Sequence, residues 1–252
     1  MTPSNEIIAV DIGNTNSTLA QLRNGVATST FDVASASTED EFLASLRIHL
    51  SQAVQSLPAV IASVNPRACE ALSGALKRQG FKTCLVLGRD IQIPIENKTD
   101  TPSQVGQDRL ANALAATRHC QGNAIVVDFG TAITFDVLMD GAYCGGVITP
   151  GIGLAMEALH QKTALLPLVR PHGKPPILGK NTVAAINSGV FYGYVGLTRN
   201  IIAELRKIFQ AKPRVLATGG YGSYLMPHIP EIEEALPHLT HEGIALAYEL
   251  SR

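Results

Sequence analysis

Tryptophan is missing from the 252-residue sequence, and aromatic residues together make up only 5%. Modules that stack bases or sugars need aromatic faces, so no stacking platform is expected. A charge excess is missing as well: 20 Lys and Arg against 21 Asp and Glu leave a formal net charge of -1. Such a balance gives no basic excess to suggest a nucleic-acid or membrane surface, though it leaves room for a local basic groove, and no nucleic-acid partner is expected. No apolar run reaches the roughly 18 residues of a spanning helix, so no membrane segment is expected either. The opening "MTPSNEIIAV" has no basic stretch before its apolar one. It is not expected to be a secretory signal, and the expected location is cytoplasmic. The four cysteines, Cys69, Cys84, Cys120 and Cys144, form no CxxC pair. That spacing argues against a zinc cage or a dithiol redox motif and leaves free thiols. His238 and His241 in "HLTH" are spaced for a metal but lack a third ligand.

What is present is a repeated pattern. "IIAVDIGNTNSTLAQL", Ile7 to Leu22, runs apolar, then meets Asp11 and Gly13 and turns apolar again. Asn24-Gly25 then marks a tight hairpin before a third strand. "AIVVDFGTAITFDVLMDGAYCGGVI", Ala124 to Ile148, repeats this order with Asp128, Gly130 and the hairpin pair Asp140-Gly141. Self-similarity at half the chain length argues for two related domains, expected at 1–120 and 121–252, with the boundary in "HCQGN". Between the repeats, Thr38 and Glu41 form a capping box for a helix expected to run to about Leu57. A buried strand "AVIASV", a helix from Pro66 to near Gly80 and a short strand "TCLVLG" follow. Residues from Asn181 to Phe209 keep helical spacing despite Gly189, Gly193 and Gly196. Each glycine costs a helix interior about 1 kcal/mol, and close helix-to-helix approach is the expected offset. "RVLATGGYGSYL" reads as a strand ending on Gly219-Gly220 and then a short helix, and the final helix is expected near His241 to Leu250.

Three strand ends thus close on small residues: Gly13-Asn14-Thr15, Gly130-Thr131 and Gly219-Gly220. Glycine lets backbone N–H groups approach phosphate oxygens. Asp11 and Asp128, if the two halves face one another, can hold the cation that neutralises a polyphosphate. A Walker A loop is excluded: "GKPPILGKNT" has one residue too many between Gly173 and Gly179, and Asn181 where Ser or Thr is needed. In "VGQDRLANALAA" the residues Gly106-Gln107-Asp108-Arg109 occupy the first turn of a helix. Asp108 there is either favourable charge at a helix start or a general base for a hydroxyl, with Arg109 holding an anion.

These motifs, taken in order, resemble those of the type III pantothenate kinases, members of the acetate kinase, sugar kinase and actin superfamily. "DIGNTN" is similar to the family's first phosphate motif, "GQDR" to its Gly-x-Asp-Arg motif and "DFGTAITFD" to its second phosphate motif. "GGVITPG", "LGKNTVAAINSGVFYG" and "ATGG" follow as in the family. The resemblance implies an α/β chain of two duplicated ribonuclease-H-like domains with mixed sheets flanked by helices, and ATP between them. It implies ATP-dependent phosphorylation of pantothenate to 4'-phosphopantothenate, the first step towards coenzyme A. By the same resemblance Asp11, Ile12, Gly13, Asn14, Thr15, Asn16, Ser17, Thr18 and Thr131 contact ATP, and Asp108 is the base. Asp128 binds a monovalent cation, K+ or NH4+, beside Mg2+. Gly106, Gln107, Asp108, Arg109 and Thr182 contact pantothenate, and the assembly is a homodimer. A departure is Thr99, which stands where the family commonly has a tyrosine against pantothenate. Rival readings are a kinase for another small hydroxylated substrate, and a non-catalytic regulatory accessory protein.

Overall fold

Strand β1 (Glu6–Ile12) is apolar on both faces because it is covered on both. In the computed structural model, which describes residues 6–252, it is the middle strand of a five-stranded sheet. The expectation about a signal sequence rests partly on residues 1–5, which lie outside the described residues. β2 (Asn16–Arg23) and β3 (Val26–Ala34) follow as antiparallel neighbours, and β4 (Ala59–Ser63) and β5 (Cys84–Val86) add on the other side in parallel. Ile8, Val10 and Ile12 point towards α1 (Glu39–His49) and α2 (Pro66–Gln79), where they meet Phe42, Leu46, Leu72 and Leu76 in one core. Alternation sends Ile7, Ala9 and Asp11 to the opposite face. There the sheet carries α3 (Gln107–Ala116) and the last helix of the chain, α7 (Leu239–Leu250).

The second unit repeats this plan. β6 (Ala124–Phe129), β7 (Ala132–Met139) and β8 (Ala142–Pro150) are antiparallel in succession; β9 (Arg214–Thr218) joins β6 in parallel and β10 (Glu234–Ala235) joins β9. Helices α4 (Ile152–Gln161), α5 (Thr182–Arg206) and α6 (Gly222–Leu225) complete it. Strand order is β3-β2-β1-β4-β5 in one sheet and β8-β7-β6-β9-β10 in the other. Even the irregularities match. Both second strands carry a bulge, at Gln21/Leu22 and at Val137/Leu138. Both hairpins turn through left-handed pairs, Asn24 (φ 52°) and Gly25 (φ 79°), Asp140 (φ 51°) and Gly141 (φ 80°). The duplicated mixed α/β architecture is therefore visible strand by strand.

Local expectations fare unevenly. The Thr38–Glu41 capping box is present, but α1 ends at His49 rather than near Leu57. Leu50 is extended, and a single 3-10 turn, Gln52–Ser56, follows. Leu50 and Val54 both reach the core that Leu46 occupies, so apolar spacing continues across a break in the helix. α2 starts at Pro66 behind the Asn65 cap and stops at Gly80, whose φ of 109° is left-handed, as expected. The glycines of α5 differ from expectation: a Cβ at Gly189, Gly193 or Gly196 would meet nothing within 4 Å. No element among the described residues packs against that face closely enough to need them. The boundary also differs. Residues 238–252 pack with the first unit, which is Met1–His119 plus His238–Arg252, whereas the sequence-based division at 120 and 121 counts them with the second. Gly243 explains the attachment, because a Cβ there would strike the backbone of Ala111 in α3. Among the described residues no helix is long and apolar enough to cross a membrane, and all four cysteines are free.

Candidate active site

The candidate residues fall into one group in each unit. In the first, β1 delivers Asp11 half-buried at its carboxyl end, in register with Thr18 of β2 and Ala62 of β4. The chain then turns tightly, with Gly13 N–H donating to the Asn16 carbonyl at 3.0 Å. Asn14, Thr15 and Asn16 project from this turn, exposed. Two anchors hold it: Ser35 N–H donates to the Thr15 carbonyl at 2.9 Å, and the Ser17 and Ser35 hydroxyls bond at 2.9 Å. Ile12 and Ser17, expected from the resemblance to contact ATP, are completely buried and support the turn from beneath. The Thr18 hydroxyl donates to Asp32 Oδ1 at 2.6 Å. Asp32 was not singled out from the sequence; only the β2–β3 register, which sets it opposite Thr18, reveals it.

Gly106 to Arg109 open α3 at the same end of the sheet. The link is Val64, the residue after β4: its N–H bonds the Ile12 carbonyl at 3.0 Å, and its side chain lies against Gly106. Gly106 caps α3 without a side chain, and a Cβ there would collide with Asp108 Oδ1. The glycine thus allows the carboxylate to fold back over its own turn, where it accepts the Arg109 N–H at 2.8 Å. Burial pushes the Asp108 carboxyl above the ordinary carboxylate range, opposed by the Arg109 amide and the Arg109 charge. A carboxylate held this way is a better proton acceptor than a solvated one. Gln107 packs its amide against Gly88, which has φ of 80°. Thr99 is half-buried and donates both N–H and hydroxyl to Asn97 Oδ1, at 3.1 and 2.7 Å.

In the second unit Asp128 and Thr131 stand where β6 ends. Asp128 is half-buried, opposite Thr134 and Thr218, and Thr131 is exposed. Three glycines crowd this strand end. A Cβ on Gly219 (φ 92°) would come within 2.5 Å of Asp128 Oδ1, and one on Gly130 within 3.5 Å. Gly151 donates to the Thr131 carbonyl at 3.0 Å and approaches that backbone too closely for any side chain. The Asp128 carboxylate therefore lies among glycines, and at Gly219 a side chain would strike it. Thr182 is the exposed first residue of α5, behind the Asn181 cap, whose Oδ1 accepts the Ala184 N–H at 2.9 Å. Among the described residues no three His, Cys, Asp or Glu side chains are grouped to hold a metal, and the His238–His241 pair gains no third ligand.

Each unit thus ends its middle strand on an aspartate beside glycine turns, and the first adds a carboxylate on a glycine-opened helix. A family model described as type III pantothenate kinase matches residues 7–204. The chain belongs to the type III pantothenate kinase family. A type III pantothenate kinase from Moorella thermoacetica is 36% identical over 250 residues, covering 96% of this chain and 98% of that protein. Among solved structures, a Campylobacter jejuni protein assigned by name to the Baf family of transcriptional activators aligns over 97% of this chain and 98% of its own, with TM-score 0.63 and 21% identity. A ROK family glucokinase from Streptomyces griseus, solved with glucose and AMPPNP, aligns over 98% and 99% with TM-score 0.52 and 14% identity. At such low identity these two speak for the fold alone: it is that of the sugar kinases.

Proposed function

We propose that the protein transfers the γ-phosphoryl group of ATP to the primary hydroxyl of pantothenate, giving ADP and 4'-phosphopantothenate, in the cytoplasm. Family membership supports this reading, and the observation that carries it is Asp108, desolvated and turned back over a glycine-opened helix start. Asp108 takes the hydroxyl proton as the oxygen attacks the γ-phosphorus, the bond to the β-phosphate oxygen breaks, and ADP leaves. Phosphoryl transfer asks mainly for position and charge neutralisation. The exposed Asn14 to Asn16 turn and the Gly130-Thr131 turn suit phosphates. Arg109 and Thr182 are proposed to orient pantothenate. Magnesium supplies neutralising charge on the phosphates when bound, and Asp11 beside its turn of hydroxyl and amide oxygens fits such a hard cation. Asp128 in its glycine cradle fits a monovalent cation, K+ or NH4+.

A coupled ADP-release assay tests the reading. ADP is expected only when pantothenate and ATP are both present, and faster with K+ than with Na+. Asp128→Ala should lose that preference. ADP release indifferent to pantothenate would overturn the kinase assignment, and equal rates in Na+ would remove the cation site from Asp128.

The homodimer is part of the same proposal, supported by apolar exposure on the second unit. Leu165, Ile177 and Leu178 are 91%, 71% and 73% exposed, and the glycine face of α5 is open. Apolar exposure of that kind marks an interaction surface. Sedimentation velocity should show a dimer, and Gly193→Glu, for which the single chain has room, should give folded monomers. A monomeric unsubstituted protein would overturn this part.

A further inference from the structure

The nucleotide turn and the base-bearing helix of the first unit are both tied to one element remote in sequence, the C-terminal helix α7. Its residues Thr240 and His241 are adjacent and buried, at 6% and 5% exposure. Thr240 donates its hydroxyl to Asn112 Oδ1 at 2.8 Å. Asn112 follows Asp108 by one helical turn of α3 on the same face. His241 Nε2 lies 3.2 Å from the Thr18 carbonyl, inside the Asp11 to Thr18 segment. A carbonyl only accepts, so Nε2 carries the proton. Nδ1 is buried with no hydrogen-bond partner, which leaves this imidazole a single polar contact. Burial, with His238 beside the ring, pushes its pKa down to about 4 against the opposing effects of Thr18 and Asp32, so it is neutral at physiological pH. Two residues later Gly243 brings α7 onto the α3 backbone with no space for a side chain.

Burying a histidine with one nitrogen unsatisfied costs stability that leucine would not. What the residue provides in return is a directional bond. We infer that α7 is a strut, with Thr240 and His241 as positioning residues that fix the general-base helix and the phosphate turn relative to each other. His241 acts through the Thr18 carbonyl on the nucleotide side, and Thr240 acts through Asn112 on the side of Asp108. The inference rests on reading Asp11 to Thr18 as the nucleotide segment and Asp108 as the base.

The test compares His241→Leu, His241→Gln and Thr240→Val with the unsubstituted protein by amide hydrogen exchange without ligand and by steady-state kinetics. Loss of one hydrogen bond corresponds to roughly a two- to twelvefold change. His241→Leu should speed exchange in the Asn14 to Leu19 segment by that order and raise KM for ATP comparably, leaving KM for pantothenate in place. His241→Gln, which keeps an N–H near the same position, should restore both. Thr240→Val should instead lower kcat with KM for ATP unchanged. Unaltered exchange and KM in a folded His241→Leu protein would overturn the strut. So would a uniform rise in exchange across the unit that Gln fails to rescue, because that is a packing defect. An unsubstituted protein with no pantothenate-dependent ADP release would overturn the kinase reading instead, and the exchange data would still decide the strut.

Discussion

Asp108→Asn should fold as well as the unsubstituted protein and lose roughly 10²–10⁴-fold in kcat, the usual effect of removing a general base. The fold should survive because Asn is isosteric and its Oδ1 can still accept the Arg109 N–H that Asp108 accepts now. It should even melt no lower. Burial raises the Asp108 carboxyl, which means the site disfavours its ionised form. A group whose charge costs stability and is nevertheless kept is a mark of function rather than packing. The sign of the pH dependence follows. The base must be ionised to act, so kcat/KM should fall on the acid side through an apparent pKa above the ordinary carboxylate range. Calorimetry and an ADP-coupled rate profile check both statements. Turnover within a few-fold of the unsubstituted enzyme would remove Asp108 from the chemistry.

The features legible in the sequence were those with a local physical signature. Asn24-Gly25 and Asp140-Gly141 announce left-handed hairpins because few other residues adopt that backbone. The alternation around them yields both sheet centres and hence the duplication. Asp11 and Asp128 stand out because a carboxylate ending an apolar strand has little structural use, whereas Asp108 also suits a helix start and stands out only in the company of the other motifs. What stayed hidden depends on contacts between distant segments. Asp32 is one polar residue among several in an exposed strand until register sets it beside Thr18. The C-terminal helix has an ordinary amphipathic pattern, and nothing in it says that Gly243 will meet Ala111. The break in α1 escaped for the opposite reason: Leu46, Leu50 and Val54 are spaced as if the helix continued. The three glycines of α5 were legible as an anomaly, yet the single chain leaves them facing open space.

Gly219→Ala should be among the most damaging of the small substitutions, and its neighbour Gly220→Ala among the mildest. From the sequence the two are one Gly-Gly turn with one presumed purpose. In the structure their situations are unlike. Gly219 has φ of 92°, where a Cβ would come within 2.5 Å of both the Phe129 amide nitrogen and Asp128 Oδ1. Phe129 N is backbone in the middle strand of its sheet and has little freedom to give way. A left-handed alanine costs about 1–2 kcal/mol and a forced core contact about 1–3 kcal/mol more. At roughly 2–4 °C per kcal/mol the melting point should drop by about 4–20 °C. Asp128 should be displaced as well, so the K+ preference should go with it. Gly220 has no atom within 4 Å of its Cβ position, and alanine there should alter stability by no more than about 0.5 kcal/mol. Any effect of Gly220→Ala should therefore appear in KM for ATP alone, the sign of a backbone that a phosphate approaches. Equal melting points for the two variants would show that the Gly219 backbone yields easily, and the glycine cradle around Asp128 would lose its physical basis.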